Sequence, residues 1–251
     1  MDKALKSVLE WWEDAGVDVP DVTLTAPKRR AKARQAPTKK PTALAPRAVP
    51  PVAKSIINAA PIVAKAKTLV ELKAAMDTFD AGALSDSARQ CVFARGNPDA
   101  GLMVIGEAPG REEDIAGKPF IGRSGQLLDK MLASIGLTEE TAYLTTVVNW
   151  RLPKNRNPTA EDIAICAPFL QRHIELAAPK LILIVGGVSL SAMTGLSSVM
   201  KNRGQWQTVT IAEKEIPALP IYHPATLIKQ PVLKKEAWRD LLALKEQLQS
   251  V

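Results

Sequence analysis

The run Val104-Ile105-Gly106-Glu107-Ala108-Pro109-Gly110, followed by Arg111-Glu112-Glu113-Asp114 and by Gly117-Lys118-Pro119-Phe120-Ile121-Gly122, sets the reading of the whole chain. An apolar stretch from Leu102 to Ile105 breaks at Gly106 into a turn-rich polar loop, and a helical pattern resumes at Ser124. A buried strand that opens into an irregular polar loop and then a helix is how open α/β sheets build sites at their strand ends. Charged loop residues usually end as solvated turns. Phe120 argues for a functional loop instead, because its ring lies between Pro119 and a glycine-containing turn, with no periodicity around it to bury it.

Strands and helices alternate on either side of this run. The pattern predicts strands at 102–106, 142–148, 180–185 and 217–222. It predicts helices at 124–135 (capped by Ser124), 159–176, 187–194 and 232–249. Thr159 is the expected N-cap of the second of these, with Asp162 at its third helical position. Leu69, Leu72, Met76 and Phe79 mark an earlier helix, and Cys91-Val92-Phe93 a short strand. Nearly continuous apolar strands such as Leu181-Ile182-Leu183-Ile184-Val185 argue for a sheet covered on both faces. The expected fold is a three-layer α/β/α sandwich around a four-stranded, mainly parallel sheet, spanning residues 67–251.

Ahead of it, Leu5, Val8, Leu9, Trp12 and Val17 fall at helical spacing, so residues 1–20 read as a short amphipathic helix. Trp11 and Trp12 beside acids suggest a docking face for a partner protein or for the main domain. Residues 21–66 read as a disordered Ala/Pro/Lys linker, with ten basic residues and no acid between Val22 and Lys65. The formal charge of +7 is concentrated there: residues 1–66 carry 12 Lys/Arg and 6 Asp/Glu, the rest 21 and 20. A cationic arm adds salt-dependent, sequence-independent attraction to a polyanion, although a solubilising tail looks the same. Two distant cysteines, Cys91 and Cys166, make neither a disulfide framework nor a metal site. With no apolar run near the ~20 residues of a membrane span and no secretory leader, a soluble cytoplasmic protein is expected.

Four strand ends then converge on one edge of the sheet. They bring Glu107 and the loop to Phe120, Thr146 and Asn149 with the segment Arg151–Pro158, Gly186-Gly187, and His223-Pro224. His223 follows a buried strand directly, whereas His173 lies within a helix and reads as a surface or packing residue. Glu107, Asn155 and His223 around one aromatic ring suit stacking a flat heterocycle and hydrogen-bonding its edge. The glycine spacing of Gly106–Gly110 fits neither a dinucleotide fingerprint nor a phosphate loop.

These residues, together with Gly125-Gln126-Leu127-Leu128-Asp129, Asn155-Arg156-Asn157-Pro158 and His223-Pro224-Ala225-Thr226-Leu227, resemble the uracil-DNA glycosylase superfamily. The resemblance runs in order over residues 69–248 and is strongest to family 4, the bacterial and archaeal iron–sulfur type. It implies an enzyme that flips uracil out of DNA and cuts its N-glycosidic bond, leaving an abasic site; a monomer is expected. Phe120 would then be the stacking platform. Glu107 would position the attacking water or stabilise the sugar cation, and His223 would donate to uracil O2. Asn155 matches a further polar residue of the family pocket, and backbone amides of the turn holding Gly106 and Ala108 would also meet the base. Leu227 or Ile228 would wedge into the minor groove with Lys229 on phosphate, and Arg111, Lys118 and Arg123 are further phosphate contacts.

The chain departs from family 4 in two places. The four cluster cysteines of the family correspond to Phe79, Gly82, Trp150 and Cys166, so no iron–sulfur cofactor and no metal are expected. Where the family reads uracil with an asparagine at the end of the second strand, this chain has Thr146. A hydroxyl offers one donor or acceptor role where an amide offers both. Either Asn149 or a backbone group reads the base, or recognition is broader, or the protein binds uracil or abasic DNA with weak turnover. A doubly wound nucleotide hydrolase would need a phosphate cradle or metal carboxylates, and the sequence has neither.

Overall fold

A computed structural model describes residues 59–250. The expected helix at 1–20 and the linker up to residue 58 lie outside the described residues. The folded body starts earlier than the expected Lys67. Helix α1 (Ala60–Val63) is followed by α2 (Leu69–Asp77) and α3 (Ala83–Ser87). Ala59, Val63 and Ala66 are buried. Arg172 donates through Nε and Nη2 to the Ala66 carbonyl at 2.9 and 2.8 Å, which ties this segment down.

Next come β1 (Arg95–Gly96), β2 (Leu102–Gly106), α4 (Arg111–Ala116), α5 (Arg123–Ser134) and β3 (Tyr143–Thr146). A 3₁₀ turn at Pro153–Asn155 leads to α6 (Ala160–Ala177), β4 (Leu181–Val185), α7 (Gly187–Thr194) and α8 (Val199–Asn202). The chain ends with β5 (Gln207–Ile211), β6 (Lys214–Ile221), α9 (Pro224–Lys229), a 3₁₀ turn and α10 (Lys234–Leu248). The α6 cap is the expected one: Asp162 N donates to Thr159 Oγ1 at 3.2 Å while Thr159 N donates back to Asp162 Oδ2 at 2.7 Å.

The sheet is wider than expected. Its order is β1-β3-β2-β4-β6-β5, six strands in place of four. The four expected strands form the parallel centre, and β1 and β5 add antiparallel edges. Both edges are short or half-exposed, so neither carries the continuous apolar signal of a central strand. Cys91–Phe93 forms no strand, and the strand falls at Arg95–Gly96 instead. The loop after β2 contains the six-residue helix α4, which the glycines and prolines around it masked.

Alternation within the central strands explains the two-sided core. Met103, Ile105, Ile182 and Ile184 join the core beneath α2 and α6. Leu102, Val104, Leu181 and Leu183 face the opposite way, into the core beneath α5 and α10.

Candidate active site

Parallel pairing sets Gly106 opposite Thr146 and Val185 opposite Ile221, so the carboxyl ends of β2, β3, β4 and β6 open on one edge. A cleft of about 580 Å³ lies there. Glu107, Ala108, Phe120, Thr146, Asn155 and His223 all line it. Arg111, Arg123 and Lys229 line it too, and all three are exposed. Lys118 is exposed but outside the lining.

Phe120 is 6% exposed, although nothing in its local sequence pattern buries it. Gly106 makes room for its ring: a Cβ on Gly106 would sit 2.2 Å from Phe120 Cζ. The tip of the ring therefore packs where only a glycine leaves room. Phe120 adopts φ 57°, a left-handed conformation unfavourable for a bulky side chain. Arg95 holds it there, donating through Nε to Pro119 O at 2.8 Å and through Nη2 to Phe120 O at 3.1 Å. The remainder of the loop hangs on Glu113, whose buried carboxylate accepts from the amides of Gly110, Ile121 and Gly122 at 3.0, 3.0 and 2.8 Å. Sequence reasoning missed this role, since a loop acid folded inward looks like a solvated one.

Glu107 Oε1 accepts from Val188 N, in the first turn of α7, at 3.1 Å. Val188 N is one of the first amides of α7, which have no acceptor within the helix itself, so the bond fixes the carboxylate and satisfies the helix end together. Gly186 (φ +100°) separates Glu107 from His223: a Cβ there would be 2.3 Å from Glu107 Oε1 and 3.1 Å from His223 Cβ. His223 caps α9, its Nδ1 accepting from Ala225 N at 3.1 Å. A ring nitrogen that accepts carries no proton, so Nε2 bears the hydrogen of the neutral ring. Burial lowers the His223 pKa from its ordinary value, against the opposing pull of Glu107 and Glu113. The ring is therefore a neutral hydrogen-bond donor at physiological pH.

Two expected residues are turned elsewhere. Asn149 is 2% exposed and lies outside the lining; its Nδ2 donates to Val92 O at 3.0 Å, while Val92 N donates to Asn149 O at 2.8 Å. It staples the segment before β1 to the end of β3. Leu227 is fully buried in the core beneath α5 and α10, because α9 puts its apolar face inward. That leaves half-buried Ile228 and exposed Lys229 on the outer side of α9.

The positions equivalent to the family 4 cluster cysteines do not fit such a group. Phe79, Trp150 and Phe169 fill the region with mutually packed rings, at centroid separations of 4.8 Å (Phe79–Phe169), 6.2 Å (Phe79–Trp150) and 6.3 Å (Trp150–Phe169). Cys166 is fully buried, and burial pushes its thiol up to about 12. Burial and, secondarily, the Asp77 charge do the same to Cys91. Among the described residues no group of three or more His, Cys, Asp or Glu side chains could hold a metal ion.

The chain is 36% identical over 193 residues to the Type-4 uracil-DNA glycosylase of Saccharolobus solfataricus, covering 70% of this chain and 88% of that protein. It is 38% identical over 157 residues to the Type-4 enzyme of Sulfurisphaera tokodaii, covering 60% and 71%. To the Type-5 uracil-DNA glycosylase of Pyrobaculum aerophilum it is 30% identical over 113 residues, covering 39% and 50%. The model of the uracil DNA glycosylase superfamily matches residues 93–242, from the segment before β1 into α10, and the chain belongs to that superfamily.

Proposed function

We propose that the protein is a DNA glycosylase that hydrolyses the N-glycosidic bond of uracil in DNA and leaves an abasic site, without an iron–sulfur cluster. The observation that carries this reading is the convergence of Glu107, Phe120 and His223 on one cleft, with Gly186 close against both the carboxylate and the histidine side chain. Breaking the bond leaves positive charge on the sugar and negative charge on the departing base, and a carboxylate and a fixed donor answer both.

In this mechanism the extruded base stacks on Phe120. His223 donates its Nε2 proton in a hydrogen bond to uracil O2 and stabilises the anion as it leaves. Glu107, fixed by the α7 amide, stabilises the sugar cation and orients the attacking water. Arg111, Arg123 and Lys229 hold phosphates at the cleft mouth, and Ile228, not Leu227, is the apolar group available to the minor groove. Residues 1–58 act as a basic tether for a monomeric, nucleoid-associated enzyme, and residues 1–20 as a contact for a protein partner.

The test is incubation with a uracil-containing oligonucleotide followed by alkali. Scission at the uracil is the expected result. A gel shift without scission would instead identify a binding protein for uracil or abasic DNA. Glu107→Gln should lower excision ~100-fold or more with little change in DNA affinity. Purified protein should be colourless and free of stoichiometric iron; a visible charge-transfer band with bound iron would overturn the metal-free part of the reading.

A further inference from the structure

Granted the glycosylase reading, we propose that Arg203 is a positioning residue for His223, because it clamps the neck of the loop that carries the histidine into the cleft. Between Tyr222, just after β6, and Glu236, in the first turn of α10, the chain makes an excursion that includes His223, Ile228 and Lys229. A hydrogen bond from Tyr222 Oη to Glu236 Oε2, 3.2 Å long, closes that excursion at its base. Arg203 lies against both sides of the neck. Its guanidinium carbon is 5.4 Å from the centroid of the Tyr222 ring, and its Nη2 donates to Glu236 O at 2.7 Å. The same fork grips the buried carboxylate of Asp240, one turn further along α10, with Nε donating to Oδ2 at 2.7 Å and Nη2 to Oδ1. The next residue, Gly204, donates its amide to Pro220 O at 2.9 Å, which anchors the arginine to the strand that ends at the histidine. A Cβ on Gly204 would be 2.3 Å from Asp240 Oδ1, so a side chain there would push the ion pair away from β6.

Arg203, Tyr222, Glu236 and Asp240 do not line the cleft. Their influence on the reaction passes through the main chain, from Tyr222 to the next residue, His223. Leu227 holds the far side of the loop in the core beneath α5 and α10, and the clamp holds the near side, where the histidine is. A planar fork satisfied by a buried carboxylate and a backbone carbonyl permits one geometry, which a lysine cannot reproduce. With both sides of the loop fixed, His223 meets the charge developing on the base without having to be reorganised.

The experiment compares wild-type protein with Tyr222→Phe, which keeps the ring and removes the bond across the neck, and with Arg203→Lys, which keeps the charge and removes the fork. Three quantities are measured: the maximal single-turnover rate constant for uracil excision, Kd for the same strand carrying a 2′-fluoro nucleotide that resists cleavage, and amide hydrogen exchange along the chain. The single-turnover rate constant with saturating protein does not depend on the fraction that is folded. Tyr222→Phe should lower it ~2- to 10-fold and Arg203→Lys ~10-fold or more, with Kd changed by less than ~2-fold. Exchange should quicken over residues 223–235 and stay unchanged in β2 and β4. Should Arg203→Lys fail to fold, Tyr222→Phe alone decides. If Tyr222→Phe excises uracil at the wild-type rate and residues 223–235 exchange no faster, the clamp is wrong and the glycosylase reading stands. A uniform rise in exchange, with rate and DNA affinity lost together, would make Arg203 a packing residue and overturn the proposal equally. If wild-type protein cuts no uracil, the glycosylase reading itself fails, whatever the exchange shows, and the positioning role falls with it.

Discussion

Gly186 constrains the site at the scale of single residues. It sits at the end of β4 in a backbone conformation that L side chains rarely adopt, and a methyl group there would collide with the Glu107 carboxylate. Gly186→Ala should therefore lower kcat more than it raises KM, by at least ~10-fold in kcat, as single-turnover assays on uracil oligonucleotides would register. An unchanged kcat would mean that Glu107 is free to move without loss. Glu107 and His223 were legible as candidates because each directly follows a buried strand. The restraints on them were not, since Val188 N and Ala225 N are backbone groups whose partners depend on how two helices start.

The loop from Gly106 to Gly122 and helix α4 behave as one element pinned by Glu113. Three backbone amides end on one carboxylate, and each is a charge-assisted bond. Glu113→Ala would strand those donors in a partly buried loop, so we expect a loss of ~3 kcal/mol by urea unfolding. Excision should fall with it, because Phe120 lies between two of the amides released. The sequence shows that the loop is irregular and polar, but not which acid turns inward. Glu112 and Glu113 are neighbours of the same type; only the position of α4 against the Ile121–Gly122 turn distinguishes them.

Over the whole molecule, acid stability depends on a histidine far from the cleft. His173 is stacked on Phe93 at 4.3 Å, and its Nε2 is 2.8 Å from Tyr143 Oη. Burial pushes its pKa down to about 3 from 6.5. Burial also raises that of Tyr143, which stays protonated throughout the acid range. Below pH 6.5 the unfolded chain takes up a proton at this position that the folded chain refuses, so stability falls on acidification until about pH 3. One such proton steepens the dependence by ~1.4 kcal/mol per pH unit. His173→Gln should flatten the wild-type slope by that amount between pH 4 and 6, measured by denaturant unfolding; an unchanged slope would mean that His173 protonates in the folded state. The proposed tether of residues 1–58 belongs to the same scale. Deleting residues 1–58 should weaken DNA affinity mainly at low salt and reduce the slope of log Kd against log salt, leaving the choice of base unchanged. An equal slope would rule out tethering by charge.

The sequence by itself determined the alternation of strands and helices, the sidedness of the sheet and the edge on which a site would open. These are local properties, written in period-two and period-3.6 patterns and in capping residues such as Thr159. Only the tertiary structure decided the two antiparallel edge strands, the inward turn of Leu227 and Asn149, and the packed rings of Phe79, Trp150 and Phe169. Each of those is settled by contacts between segments distant in the chain. A residue's own neighbours in sequence report whether it can be buried, and not what it will be buried against.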